Sequence, residues 1–236
     1  MTPDQLAAAM EQSWPPARRL QSGPWIIRDG QGGGKRVSAA SAGPDWADEA
    51  IPDAEAAMQA VGQSPLFVIR EGDDLLDQAL QSRGYRVVDP VVAYAAPCSR
   101  LADPPPSAMA AFAHWPPLAI CAELWAEGGI GPERLAVMDR VSGAKCAVLA
   151  RNKDRPTGVA FVATAGRIAM LHALEVRPNA RRQGSAHNIL RAAAVWAQQN
   201  GADTLCLVVT VANLPARNLY ASLNMQVVGH YHYRQR

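Results

Sequence analysis

Residues 175–189 read EVRPNARRQGSAHNI and place arginines next to a glycine where a helix is predicted to start. Arg181 and Arg182 offer planar donors that suit phosphate oxygens. Gly184 lets an anion approach the backbone without meeting a Cβ atom. The first turn of a helix adds unpaired N–H groups and the positive end of the helix dipole. These residues predict a pyrophosphate-binding loop; an exposed basic loop before an ordinary helix is the alternative.

This loop lacks two common phosphate-binding motifs. It has neither the GxxxxGK[ST] pattern of nucleoside-triphosphate loops nor the GxGxxG pattern of dinucleotide-binding turns. It contains R-x-x-G-x-A instead, formed by Arg181, Gly184 and Ala186. Three fixed positions make a short motif, which does not define a function by itself.

A second group of candidate residues lies downstream, in NLPARNLYASLNM at residues 213–225. Asn213 and Tyr220 are seven positions apart on a predicted helix, so they share one face about 10 Å long. The amide of Asn213 can bind another amide, and the hydroxyl of Tyr220 can donate a proton. Asn213 can equally be a helix cap, and Tyr220 a buried core residue.

The composition is that of a globular protein, with 49% of the 236 residues hydrophobic and 19% charged. A net charge of +2 gives no electrostatic case for a nucleic-acid surface. No stretch approaches the roughly 18 apolar residues of a membrane-spanning helix, and the first residues do not resemble a signal peptide. The four cysteines form no CxxC pair. We expect a cytoplasmic protein, monomeric or homodimeric, without a metal site.

Strands and helices alternate in the C-terminal half, which indicates an α/β or α+β sheet. Strands are predicted at residues 145–151, 158–165, 167–176, 204–209 and 226–233. Helices are predicted at residues 118–126, 132–141, 184–199 and 213–223.

The N-terminal half contains a similar strand–helix–strand pattern. Residues 66–94 align with residues 206–234 without a gap, and four positions are identical. The same offset places residues 46–60 over residues 186–200, although Pro52 disfavours a helix there. We interpret this as a divergent internal duplication; chance similarity between two ordinary units is the alternative.

Two stretches rich in proline or glycine mark connections. APCSRLADPPPS, at residues 96–107, contains three consecutive prolines, which cannot continue a helix or a central strand. It predicts a linker at residues 97–107, between an N-terminal lobe at 1–96 and a catalytic domain at 108–236. GQGGGKR, at residues 30–36, lies between the strand-like runs WIIR and VSAA and predicts a hairpin turn.

The two motifs together resemble those of the GNAT superfamily of N-acyltransferases. The acyl-CoA pyrophosphate loop of that family reads Q/R-x-x-G-x-G/A after a strand and before a helix, as residues 181–186 do. Its second signature has Asn, then Ala three positions later, then Leu-Tyr and usually Gly-Phe. Residues 213–220 match the first part, and Asn224 and Met225 replace Gly-Phe. Asparagine tolerates the left-handed conformation of a helix end, so this departure is mild.

The resemblance implies a mixed central sheet flanked by helices, with a partial, degenerate GNAT-like N-terminal lobe as in tandem members of the superfamily. It also implies an acetyl-CoA-dependent N-acetyltransferase, in which a primary amine of a small molecule or peptide attacks the thioester directly in a ternary complex. The residues implied to bind the cosubstrate are Leu174, Glu175, Val176, Arg181, Arg182, Gln183, Gly184, Ser185, Ala186, Asn213 and Tyr220.

The same resemblance assigns catalytic roles. Tyr220 is the candidate acid that protonates the leaving thiolate, and Glu175 is the preferred candidate base. His172 is the other candidate base, on the opposite face of its strand by parity.

The N-terminal lobe lacks these groups. In the alignment, Leu80 stands in place of Tyr220, and residues 41–45 stand in place of the arginine loop, so we expect this lobe to be inert and to bind no CoA. A non-enzymatic acyl-CoA-binding regulator remains the alternative function.

Overall fold

The computed structural model describes all 236 residues as a mixed α/β protein built on one eight-stranded sheet. The helices are α1 (Pro3–Ser13), α2 (Ile51–Ala60), α3 (Asp74–Ser82), α4 (Cys98–Leu101), α5 (Ala119–Glu127), α6 (Pro132–Arg140), α7 (Ser185–Gln199) and α8 (Leu214–Ser222). Short 3₁₀ helices lie at Lys35–Val37, Asp48–Ala50 and Pro178–Ala180. No helix combines the length and the apolar character that crossing a bilayer requires.

The strands are β1 (Arg18–Ser22), β2 (Trp25–Asp29), β3 (Ser41–Ala42), β4 (Leu66–Arg70), β5 (Arg86–Pro97), β6 (Ala111–His114), β7 (Lys145–Asn152), β8 (Arg155–Ala165), β9 (Ile168–Val176), β10 (Thr204–Thr210) and β11 (Gln226–Gln235). The large sheet has the order β4-β11-β5-β10-β9-β8-β7-β6, and β1, β2 and β3 form a separate small sheet. Only β9 and β10 pair in parallel within the large sheet.

Helix α7 covers one face of the catalytic half because its apolar residues recur at helical spacing. Ile189, Ala193 and Ala197 are fully buried and pack on apolar side chains of β7 to β10. Helices α5 and α6 cover the opposite face around Trp125 and Phe161. Helix α1 lies on that same opposite face, against β8 and β9. The sheet is therefore buried on both faces where β9 and β10 run.

Strands of the two halves alternate at the other end of the sheet. The β4–α3–β5 unit and the β10–α8–β11 unit have matching bounds, since their helices span residues 74–82 and 214–222, an offset of 140. β5 nevertheless pairs with β10, and β11 with β4. The registers of these two pairs are equivalent. Leu66 lies opposite Gln235, and the residues related to them by the offset of 140, Cys206 and Ala95, also lie opposite each other. The last strand of each unit thus pairs with the first strand of the other unit, around a pseudo-twofold axis between β5 and β11. We call this arrangement the strand exchange.

The predicted elements of residues 118–236 agree with the structure to within a few residues at each end. The stretch at residues 46–60, which aligns with residues 186–200, is α-helical only from Ile51 onwards. A 3₁₀ turn precedes α2, which begins at Ile51, because Pro52 fits the first turn of a helix and not its interior.

The glycine-rich stretch at residues 30–36 is not the predicted hairpin turn. It forms a loop that ends in the 3₁₀ helix Lys35–Val37, and the following strand is limited to Ser41–Ala42. Gly33 packs so closely on α6 that a Cβ atom would lie 2.6 Å from Val137. The glycines here serve close packing between the two halves rather than a tight turn.

The proline-rich stretch is tied to the core at its start. β5 runs through Ala96 to Pro97, and α4 follows with Cys98 and Leu101 buried against α7. The three prolines at residues 104–106, the first two of them exposed, come only after that turn. Residues 97–107 therefore lie between two halves that share one sheet.

Candidate active site

A gap between β9 and β10 is the feature on which the site is built. The two parallel strands pair only from Ile168 and Thr204 to Leu171 and Leu207. β9 continues to Val176 and β10 to Thr210 without pairing to each other. The edge of β9 at residues 174–176 therefore faces the gap without a partner strand, which leaves backbone donors and acceptors for a ligand. Val176 O is the exception, since it accepts from Arg181 Nε at 3.2 Å.

The arginine loop leads from β9 to the start of α7, beside this gap. Gly184 precedes the helix in the left-handed conformation, with φ 85°, and a Cβ atom there would meet nothing within 4 Å. No side chain caps the helix, so its first N–H groups are free to bind an anion. Arg181 and Arg182 are exposed next to them. Free helix N–H groups, open space and two guanidinium groups suit a pyrophosphate.

Neighbouring side chains hold this loop in place. Ser185 is buried and donates to Thr157 Oγ1 at 2.9 Å, and Gln183 donates to Asn179 O at 3.0 Å. Arg177 forms a two-pronged ion pair with Glu127, with distances of 2.6 and 2.7 Å. Arg177 is therefore structural, and Arg181 and Arg182 are the arginines that remain for an anion.

Asn213 and Tyr220 lie at the two ends of α8, on the α7 side of the sheet. Asn213 caps the helix, since its Oδ1 accepts from Ala216 N at 3.2 Å, and its amide group stays exposed. Tyr220 is 4% exposed, packs 5.5 Å from the ring of Tyr94 and makes no hydrogen bond through its hydroxyl. Burial, then Tyr94 and Glu175, raises the pKa of Tyr220, so the phenol keeps its proton.

A β-bulge at Ala173 changes which side chains face which side. The β8–β9 register shifts between Val159 and Phe161, and Ala173 has φ 51°. Trp125 holds the bulge by donating from Nε1 to Ala173 O at 2.9 Å. Leu174 and Val176 consequently pack toward α7.

Because of this bulge, His172 and Glu175 lie on the same face, toward α5 and α6. The prediction that they occupy opposite faces is wrong, since simple alternation does not hold across a bulge. His172 contacts Trp14 and Phe161, and Glu175 packs on Gly128, where a Cβ atom would lie 2.6 Å from its carboxyl carbon.

Glu175 is half-buried and its carboxylate makes no hydrogen bond within the chain. Burial raises the pKa of this carboxyl, and Arg181 and Arg134 oppose that rise. A carboxylate in this state is a stronger base than an exposed one. Its charge also contributes to the raised pKa of Tyr220.

His172 is fully engaged in a hydrogen-bonded chain. Its Nδ1 accepts from Arg36 at 2.8 Å, and its Nε2 donates to Ser13 Oγ at 2.9 Å. Ser13 donates in turn to Ala9 O at 2.6 Å. Burial, and then Arg36, holds the pKa of His172 well below its usual range. Neither ring nitrogen is free to accept a proton from a substrate.

A cavity of about 340 Å³ opens on this face, at the mouth of the gap. His172 and Ala173 of β9 and residues 208–210 of β10 form one wall, and residues 33–36 of the N-terminal half form another. The N-terminal half thus contributes directly to the site, which the expectation of an inert lobe did not include.

Three positioning residues had no signal in the sequence. Trp125 shapes β9, Arg36 and Ser13 fix His172, and each acts across more than 40 positions of the chain. The positive φ at Ala173 is unmarked by glycine or asparagine. Close packing at Gly33 was visible only as a glycine-rich run.

Known proteins resemble this chain in sequence and in fold. The acetyltransferase (GNAT) family model matches residues 108–225. The uncharacterised N-acetyltransferase YobR of Bacillus subtilis (strain 168) is 25% identical over 245 residues, covering 98% of this chain and 96% of that protein.

Solved structures share the fold. A GCN5-related N-acetyltransferase from Kribbella flavida superposes with a TM-score of 0.76 at 18% identity, covering 99% of this chain and 95% of that one. A tandem GNAT protein from the clavulanic acid biosynthesis pathway superposes with a TM-score of 0.65 at 12% identity, covering 96% and 86%.

Proposed function

Because this chain belongs to the GNAT family and is an N-acyltransferase, we propose that it transfers an acetyl group from acetyl-CoA to a primary amine by direct attack in a ternary complex. The gap between β9 and β10, flanked by the uncapped start of α7, supports this proposal most directly. The loop at residues 181–186 binds the pyrophosphate. The free edge at residues 174–176 binds the amides of the pantetheine arm, and Asn213 adds its exposed amide.

Acetyl-CoA supplies the acetyl group as a thioester. Glu175 removes a proton from the amine, directly or through water, so that the nitrogen attacks as a neutral nucleophile. As the carbon–sulfur bond breaks, Tyr220 donates its proton to the departing sulfur. Its buried phenol, with a raised pKa, holds that proton until the sulfur gains charge. An amine that enters as an ammonium ion gives up two protons, the first to Glu175 before attack and the second as the tetrahedral intermediate collapses to the amide. The balance closes because one proton ends on the CoA thiol, by way of Tyr220, and the other is released to solvent.

Within this proposal, residues 108–236 form the catalytic domain, and the lobe at residues 1–96 binds no CoA. The start of α2 carries no arginine loop and no left-handed glycine, and Leu80 offers no hydroxyl. Four free, buried cysteines fit a reducing compartment, and we place the reaction in the cytoplasm. The enzyme acts as a monomer or a homodimer.

Initial-rate kinetics test the mechanism. The release of free CoA thiol is measured while acetyl-CoA and an amine are varied together. Intersecting double-reciprocal lines are expected for a ternary complex, and parallel lines would indicate an acetylated enzyme instead. The alternative, an acyl-CoA-binding regulator, requires tight acetyl-CoA binding by calorimetry with no turnover over a broad amine panel.

A further inference from the structure

The cavity at the mouth of the gap has an unbalanced set of charges. Three cationic side chains line it, Lys35, Arg36 and Arg134, against one carboxylate, Asp89. Lys35 and Asp89 form an ion pair at 2.8 Å. Arg36 and Arg134 have no carboxylate within salt-bridge distance, so the lining keeps two cationic side chains that form no ion pair.

Arg36 is the more telling of the two. One of its terminal nitrogens donates to His172, and its guanidinium lies 5.9 Å from the ring centre of Trp14. Its Nε is buried and has no hydrogen-bond partner in the protein. The guanidinium makes one hydrogen bond and no ion pair where Arg36 lines the cavity, so its remaining donors favour a group that enters the cavity. For a guanidinium, that group is an anion.

Arg134 reaches the same region from α6. Its guanidinium nitrogens lie 3.6 Å from the position that a Cβ atom on Gly34 would take, and no side-chain hydrogen bond holds it. It also lowers the pKa of Glu175 and so lies within electrostatic reach of the candidate base. Arg134 therefore connects the lining of the cavity with the region of Glu175, which itself lies outside that lining.

We propose that the acceptor is a small primary amine that carries its own anionic group, a carboxylate or a phosphate, bound by Arg36 and Arg134. This inference rests on the proposed acetyl transfer. It gives the N-terminal half, through Arg36, a share in selecting the acceptor beside Arg134 of the C-terminal half, which also binds acetyl-CoA.

The same charges exclude other amines. A polyamine brings a second positive charge into a lining that is already cationic, which is unfavourable. A zwitterionic amine offsets that charge with its own anion. The cationic lining also disfavours the ammonium form of the reacting end, which promotes the neutral nucleophile that acetyl transfer needs.

Matched acceptors test the inference on the full chain. CoA release is measured with sets of amines that share one skeleton and differ in one substituent: carboxylate, phosphate, neutral amide or second ammonium. An anionic member is expected to exceed the neutral and dicationic members in kcat/KM by about tenfold or more. The carboxylate and phosphate arms show which anion is preferred.

Two variants locate the effect. Arg134→Gln, at an exposed position, and Arg36→Gln are each expected to raise the KM for the anionic acceptor about tenfold and to leave the KM for acetyl-CoA unchanged. Arg140→Gln is the matched control, since Arg140 lies on the same helix but outside the cavity lining. Melting curves identify any variant that fails to fold. If Arg36→Gln fails to fold, Arg134→Gln alone is sufficient for the test.

The outcomes separate the two proposals. Turnover with no preference for anionic amines, or with the same preference in Arg134→Gln, would overturn this inference and leave acetyl transfer standing. Calorimetric binding of the anionic amines, weakened in Arg134→Gln but without turnover by the wild type, would support the anion site and overturn the proposed function.

Discussion

The two strand–helix–strand units share a backbone plan but differ in chemistry. Helices α3 and α8 begin and end at equivalent positions, and both are followed by a residue with positive φ, Gly84 and Asn224. At the position of Tyr220, the first unit has Leu80, which is fully buried. The two units therefore share their helix and strand positions, and the hydroxyl that we propose as the acid is present in only one of them.

The residues around these positions differ in the same way. Asp77 of the first unit binds Arg234 of the second through hydrogen bonds of 2.7 and 2.9 Å. The equivalent pair is Arg217 of the second unit and Tyr94 of the first, which meet at 3.4 Å, and Tyr94 packs on the ring of Tyr220. A two-pronged ion pair at one position thus corresponds to a single longer hydrogen bond at the other. Duplicated backbone does not imply duplicated function.

Removing the hydroxyl of Tyr220 should produce the largest effect. Tyr220→Phe keeps the ring and its packing but loses the proton donor, so we expect kcat to fall roughly 10²–10⁴-fold with acetyl-CoA affinity unchanged. Tyr85→Phe is the control, a buried tyrosine of the first unit that donates to Glu55 at 2.7 Å. It should lose about 1 kcal/mol of stability and no rate. Normal kcat in well-folded Tyr220→Phe would exclude the acid role.

Blocking the pyrophosphate-binding loop at residues 181–186 should have the next largest effect. Gly184→Glu places bulk and negative charge at the start of α7, and acetyl-CoA affinity measured by calorimetry should fall by about 100-fold, or about 2.7 kcal/mol. Gly62→Glu imposes similar backbone strain in the N-terminal half, because Gly62 has φ 74° and the same open surroundings. It should retain wild-type affinity. Equal losses in both variants would show that strain, and not the loop, is responsible.

Replacing the candidate base should have a smaller effect. Glu175→Gln should slow turnover about 10- to 100-fold at pH 7, because water can replace the base in part. Burial raises the pKa of this carboxyl above 4.5, so wild-type activity should fall as the pH drops through that pKa. The variant should lack this acidic limb, and Glu71→Gln should keep it. A variant that retains the limb would assign it to another group.

The smallest effect concerns stability. His172 stays neutral when folded, so below pH 6.5 the unfolded chain binds a proton that the folded protein excludes. The contribution of neutral His172 to the free energy of unfolding is complete above pH 6.5. It is lost as the pH falls toward the lowered pKa, by about 1.4 kcal/mol per pH unit. Urea unfolding from pH 8 to 5 should show this slope, reduced in His172→Gln but not in His230→Gln. An unchanged slope would contradict it.

The sequence predicted what depends on neighbours along the chain. Helix α7 shows its apolar face in a single run of residues, and the loop from Arg181 to Ala186 and the helix from Asn213 to Tyr220 are continuous motifs. The offset of 140 positions was also visible, because two similar units leave similar patterns.

The sequence did not predict features that need distant residues. The bulge at Ala173 depends on Trp125, and the splay of β9 from β10 depends on which strands border them. The exchange of β5 and β11 leaves no trace in either strand alone. Arg36 looked like the end of a turn, and only the fold brings it to His172.

The strand exchange has a consequence for biosynthesis. β4 and β5 do not touch as partners in the sheet, because β11 lies between them. β5 also pairs with β10, and β11 follows the other strands along the chain. The edges of β4 and β5 therefore stay unpaired after synthesis until residues 204–210 and 226–235 have been made. Such delayed, long-range pairing is slow and prone to aggregation. A stalled or truncated chain that lacks residues 226–235 would lose β11, which is both the last strand of the second half and the strand that pairs with β4 and β5 of the first half. Such a chain would become a target for chaperones or proteolysis.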